Sequence, residues 1–394
     1  MLSSTGTKTK RLGYLDSARG LAALSVITWH FFTAFYNIEG HSFVQDSPLH
    51  IFWYGPSDVT FFFIHSGFIL TYTSQKFLKG IQIRDYIGYL IRRICRIYPL
   101  YIFILLLSHL AYNTIYPMSS GRFLSDHFRE FWKFPAKTWI DVLKEAVLIV
   151  RVPESSVGRY MPQDWTLAVE LYASAVLPFL CLFMKKNSWL CCLGILLLAR
   201  VPGLCTYILE FGIGVFLFNF MDRIHQLWNR TGAFIHAMVI GLAILLSTCF
   251  FQFSDYLGGR HILFRPTIDR LIVAGGCGLW FLVLLNHKWL QKLLSKRFFS
   301  ILGEACYALY LFHLMLLILF VDYGYQLLTS TTSLPIWAVK LILLLVTMVS
   351  TIALSLLSYF TLERPAIRLG KRLNTAIVNR MVFSGVRRQD QPSQ

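Results

Sequence analysis

Arg19 and His30 stand eleven residues apart in the first apolar stretch of the chain. That is about three helical turns, so a helix would set both on one face with a rise of roughly 16 Å between them. Two readings fit the pair. In one, the guanidinium near the membrane surface holds an anionic group while the deeper imidazole handles a proton. In the other, the arginine snorkels at a helix end and the histidine is a hydrogen-bonded core residue. Asp16, three residues before Arg19, could cap the helix or pair with an arginine, and Ala18, Gly20, Ala22 and Ala23 would let a second helix approach closely.

Further chemistry-bearing residues punctuate the later apolar runs. Arg93 and Arg96 share a helix face and could form a forked cation suited to phosphate or pyrophosphate, or an ordinary cytoplasmic anchor. His65 and Ser66 interrupt the aromatic run of residues 61–68. A serine nucleophile needs a base beside it, and His65, adjacent in sequence, points elsewhere on a helix, so Ser66 and Gly67 read first as a packing and hydrogen-bonding site. Glu170, about a turn inside the stretch opened by Trp165, is costly to bury alone and should meet His30, an arginine or the substrate. Glu210 calls for the same argument. Tyr307, Tyr310 and His313 line one late stretch, and Glu363 closes the last.

The elements that must position these groups follow from composition. The apolar classes make up 56% of 394 residues and charged residues only 14%, with a mean hydropathy of +0.56. A soluble domain of this size could not hide so much apolar surface, which makes lipid the solvent for most of the chain. Runs able to cross a bilayer lie at roughly 18–37, 57–75, 97–115, 166–184, 188–201, 203–220, 233–253, 269–286, 303–321 and 335–360. The fold class expected is therefore all-α, a polytopic membrane protein of about ten transmembrane helices. The fifth and sixth runs, parted by Pro202 and Gly203, could form one broken hairpin.

Lys8, Lys10 and Arg11 precede the first run and residues 39–56 contain no Lys or Arg, so the N-terminus is expected inside. Alternation then brings every other basic cluster, and the C-terminus, to the cytoplasmic side, except for the long mixed-charge loop 116–164. The first run carries Arg19 and His30 and lacks a cleavage site, unlike a signal peptide. A single membrane domain over 1–373 with a short polar tail over 374–394 is expected, with no appended domain. The 37 Lys+Arg against 20 Asp+Glu give +17. Because these residues cluster between apolar runs, they read as facing anionic lipid rather than nucleic acid. The eight cysteines show neither metal-ligand nor disulfide spacing, so no metal site is expected.

Six motifs, in order from Leu15 to Pro365, resemble the acyltransferase-3 family of membrane O-acyltransferases. Arg19 and His30 match its Arg-x10-His. Phe62-Phe63-Ile64-His65-Ser66-Gly67-Phe68 resembles its Phe-Phe-x-x-Ser-Gly-Phe, and Arg93, Arg96, Tyr98 and Pro99 its Arg-x-x-Arg and Tyr-Pro. Residues 165–170 resemble Trp-Ser-Leu-x-x-Glu, residues 307–313 Tyr-Ser-Leu-Tyr-Leu-x-His, and Glu363-Arg364-Pro365 the Glu-x-Pro ending. Thr60 departs from a commonly acidic position and His65 from an aliphatic one, which could retune the acceptor pocket.

The resemblance implies transfer of an acyl group, most often acetyl, from acyl-CoA to a hydroxyl of a carbohydrate or glycolipid acceptor such as a surface polysaccharide. The membrane implied is the bacterial inner membrane. Acetyl-CoA would be a donor substrate, with no permanently bound cofactor, and membrane lipids would be further partners. His30 and Glu170 are the expected catalytic residues. Arg19, Arg93 and Arg96 are expected on the donor phosphates, with Arg93→Ala mainly raising the donor KM. Asp16, Ser66, Trp165, Tyr310, His313 and Glu363 are expected to contact substrate. A secondary transporter of a small anionic solute would share the buried charges but should show matching halves, and none is visible. A membrane scaffold would not need His30 and Glu170 buried.

Overall fold

A computed structural model of the chain describes residues 12–35, 48–114, 125, 138–148, 160–198, 207–253 and 266–389. Every regular element among them is helical, with no strand. The cluster at residues 8–11, the Pro202-Gly203 break and most of the loop 116–164 lie outside the described residues.

The helices are α1 (Gly13–Phe35), α2 (Gly55–Thr73), α3 (Ile83–Thr114), α4 (Trp139–Ala146), α5 (Trp165–Lys186), α6 (Ser188–Leu198), α7 (Ile208–Asn219), α8 (Met221–Arg230), α9 (Ala233–Phe253) and α10 (Pro266–Asn286). Then come α11 (Lys288–Leu294), α12 (Arg297–Glu304), α13 (Cys306–Ile318), α14 (Gly324–Thr331), α15 (Ile336–Ser358) and α16 (Arg364–Gln389). One π-helical turn, Leu319–Tyr323, joins α13 to α14, and another, Tyr359–Glu363, joins α15 to α16. The helix α16 crosses residue 374, where the sequence places the start of a polar tail.

By length and apolarity four described stretches can cross a membrane: Ile83–Thr114, Pro162–Lys186, Cys306–Thr331 and Ile336–Ile377. A fifth is added if Arg270–Asn286 and Lys288–Leu294, bent by 87°, are one span. α1 and α2 are long enough but too polar to be counted, and the reason is visible in their packing. Ser25 on α1 donates to the buried Asp58 carboxylate on α2 at 2.5 Å, and Arg19, Thr33, His65 and Ser66 also lie on these two helices. Polar groups that face neighbouring helices lower the hydropathy of a segment without meeting lipid. α15 shows the same division on one helix. Thr347, Thr351, Ser355 and Ser358 recur every three or four residues and are buried, whereas Leu341, Leu345, Val349 and Leu357 face outward.

Glycines set the closest approaches. A Cβ on Gly67 of α2 would collide with the Phe211 carbonyl of α7, and one on Gly214 with the Ile64 carbonyl, so these two helices meet backbone to backbone. A Cβ on Gly20 would come within 2.6 Å of the Leu302 backbone, fixing α1 on α12. With no room for a methyl group, Gly67→Val or Gly214→Val is expected to cost roughly 3 kcal/mol or more by forcing the helices apart. The readout is the elution profile and melting midpoint of the detergent-solubilised protein; wild-type values for both variants would contradict the close approach.

Candidate active site

The first pole of the site is an arginine cluster. Cys306, the first residue of α13, donates its thiol to the Arg19 carbonyl at 3.3 Å, which ties α13 to α1 beside the arginine. The Arg19 Nε is buried without a hydrogen-bond partner among the described residues. On α3, Arg93 is only 6% exposed. Its Nε donates to Ser174 Oγ at 3.1 Å, and its Nη2 forms an ion pair with Glu170.

One turn later Arg96 is within electrostatic reach of Arg19 and Glu363. Glu363, carried by the second π-helical turn, is 2% exposed and keeps one carboxylate oxygen buried without a hydrogen-bond partner among the described residues. Arg93 joins α3 to α5 through Glu170 and Ser174, and Arg96 lies within electrostatic reach of Arg93 and Glu170 as well.

A small cavity of about 40 Å³, room for a few water molecules, opens among Arg19, Ser66, Glu170, Cys306, Tyr307 and Tyr310. Tyr307 is anchored by donating to the Ile97 carbonyl at 2.7 Å. The Thr166 hydroxyl lies 3.0 Å from the Gln163 carbonyl and 3.1 Å from the Tyr310 hydroxyl. The carbonyl can only accept, so Thr166 gives it its proton and receives that of Tyr310.

Tyr310 also leads to the second pole, since its ring is 5.5 Å from that of His313. His313 is fully buried and lies 5.0 Å from His30, ring to ring. His30 Nδ1 is 2.9 Å from the Val26 carbonyl, and His313 Nδ1 is 2.6 Å from the Tyr310 carbonyl. A carbonyl oxygen can only accept, so both Nδ1 atoms carry hydrogen. In the neutral rings both Nε2 atoms are then the basic nitrogens. That of His313 has no hydrogen-bond partner among the described residues.

The acyltransferase-3 family model, described as an acyltransferase domain, matches residues 12–359, most of the chain and every residue of this constellation but Glu363. The chain belongs to the acyltransferase-3 family. With its long apolar helices it is an integral membrane acyltransferase. No curated protein and no solved structure matches it.

Within this acyltransferase the structure gathers the expected residues unevenly. Arg19, Ser66, Glu170 and Tyr310 share the cavity. Arg93, Arg96 and Glu363 adjoin it through their charges, and His30 joins it through His313 and Tyr310. Asp16 lies in the first turn of α1 within electrostatic reach of Arg19. Trp165 stands behind the cavity wall, with its ring 6.4 Å from that of Phe63.

Three features were not foreseen. The Ser25–Asp58 bond could have been suspected from a carboxylate in an apolar run, but its partner could not. The contact of Cys306 with Arg19 has no local mark in the sequence. Glu210, 1% exposed, is met at 2.8 Å by Arg270, whose guanidinium also lies 3.7 Å over the Tyr207 ring. The cost of burying Glu210 called for a partner without saying which, and the arginine that meets it is 60 residues away.

Proposed function

We propose that this acyltransferase moves an acetyl group from acetyl-CoA to a hydroxyl of a carbohydrate or glycolipid acceptor, such as a cell-surface polysaccharide. The proposed setting is the bacterial inner membrane, crossed ten times with both ends in the cytoplasm. The observation that carries the reading is the pairing of His30 with His313, both presenting basic Nε2 atoms, at one end of a polar path. The other end of that path holds Arg19 and Arg96.

The chemistry runs as follows. His30 Nε2 takes the proton of the acceptor hydroxyl as its oxygen attacks the thioester carbonyl carbon. The carbon–sulfur bond of the tetrahedral intermediate then breaks, leaving an acetyl ester, and the departing thiolate takes the proton back from His30. His313, held in the same tautomer, is an acceptor for the imidazolium N–H that forms on His30. Arg19 and Arg96 bind donor phosphates, and Arg93 supports them from its pair with Glu170. Glu170 lines the cavity and holds Arg93 beside it.

The deciding experiment incubates membranes containing the protein, or its His30→Ala variant, with radiolabelled acetyl-CoA and envelope glycans. Label entering an alkali-labile sugar ester only with the unaltered protein is the expected result. Equal label with the variant would remove His30 as the base, and no label with any glycan fraction would remove the proposed donor or acceptor class.

A further inference from the structure

On the far side of α5 from Glu170, a furrow of about 680 Å³ runs between α5 and α6 and ends at Ile208 of α7. Its size lies within the range of ligand pockets, ~300–1,000 Å³. The wall is almost wholly apolar. Val176, Phe179 and Phe183, at helical spacing on α5, face Leu190 and Leu198 of α6. Among the described residues nothing lies within 4 Å of where a Cβ on Gly194 would sit, so the furrow is open there. α6 is meanwhile held on α7, where Ile195 packs against Gly212.

One end is different. Lys186 and Asn187 line it, whereas Lys185 is turned away and donates to the Leu78 carbonyl at 3.2 Å.

From Tyr172 to Lys186 the α5 wall rises about 21 Å, more than the ~15 Å hydrocarbon half of a bilayer. An extended hydrocarbon chain lies along an apolar slot of that length. The cation at the end of an apolar slot supplies the complement for a phosphate headgroup.

We infer that this furrow is a binding site for an anionic glycerophospholipid, its acyl chain along α5 and α6 and its phosphate at Lys186. The lipid fills the gap that Gly194 leaves and so holds α6 against α5, the helix whose opposite face carries Glu170.

The test is native mass spectrometry of the full chain, released from mild detergent after exchange into vesicles of phosphatidylglycerol or phosphatidylcholine. One retained phospholipid per chain is expected, with phosphatidylglycerol preferred by about fivefold. Lys186→Gln is expected to erase the preference, and Gly194→Phe, whose side chain enters open space, to lose the lipid while eluting as a folded monomer. Lipid retention in Gly194→Phe equal to wild type, an unchanged preference in Lys186→Gln, or a dimer in place of the lipid adduct would overturn the assignment. None of these readouts depends on acetyl transfer.

Discussion

His30→Ala is expected to lower acetyl transfer at least about a hundredfold, within the ~10²–10⁴ that a positioned general base contributes, with no loss of folded protein. The ring lies on a half-buried face of α1, and its Nδ1 bond is made to its own helix, to the Val26 carbonyl four residues back. Truncating it therefore breaks no bond between helices through Nδ1. Initial rates with labelled acetyl-CoA measure the effect, and the melting midpoint in detergent checks the fold. His313→Ala should give a smaller loss in kcat, because it removes the acceptor for the imidazolium rather than the base. Equal losses in the two variants would mean that the imidazoles act as one unit, and a wild-type rate in His30→Ala would dismiss the base altogether.

Arg93→Ala is expected to cost stability before it affects donor binding. The guanidinium is buried and engaged by both Glu170 and Ser174, and its removal leaves a carboxylate uncompensated inside the bundle. Breaking one side of a buried pair costs about 3–5 kcal/mol. The exchanged pair, Arg93→Glu with Glu170→Arg, should recover much of that loss. Arg96→Ala, which breaks no ion pair among the described residues, should instead raise the donor KM. Melting midpoints and a KM-against-kcat comparison separate the two. If Arg93→Ala melted like wild type and raised only the donor KM, Arg93 would be a phosphate ligand and the original expectation from its spacing would stand.

The furrow bears on both results, because it lies behind the helix that carries Glu170. Lipid lost during purification would lower activity without any change at the arginines. Assays in native membranes therefore set the reference for the variants.

Much of the site was legible because helical periodicity is a local property. A separation of eleven positions puts Arg19 and His30 on one face of α1 whatever α1 packs against, and a separation of three does the same for Arg93 and Arg96 on α3. The cost of burying charge in lipid was also legible, and it called for His30, an arginine or the substrate beside Glu170, and for a partner at Glu210, before any was known. Small residues at Gly20 and Gly67 marked helix contacts for the same reason, since only a side chain of that size permits them.

What periodicity leaves open is the partner across each contact. Whether Glu170 meets His30 or Arg93, whether His30 has a second imidazole beside it, and whether Cys306 touches Arg19 depend on which helices lie together and at what height. Those choices are made by non-local approaches such as Gly67 on Phe211 and Gly303 on Asp16. Apolar content had the same limit. It identified a membrane chain, but the polar faces of α1 and α2 count as interior only once α7, α12 and α13 cover them. Sequence alone thus determined the chemical inventory, the membrane setting and the helix faces, because these depend on composition and a fixed 3.6-residue repeat. The tertiary structure alone decided that Arg93 is bound to Glu170 and that His30 stands beside His313, because each needs two distant segments brought within a few ångströms.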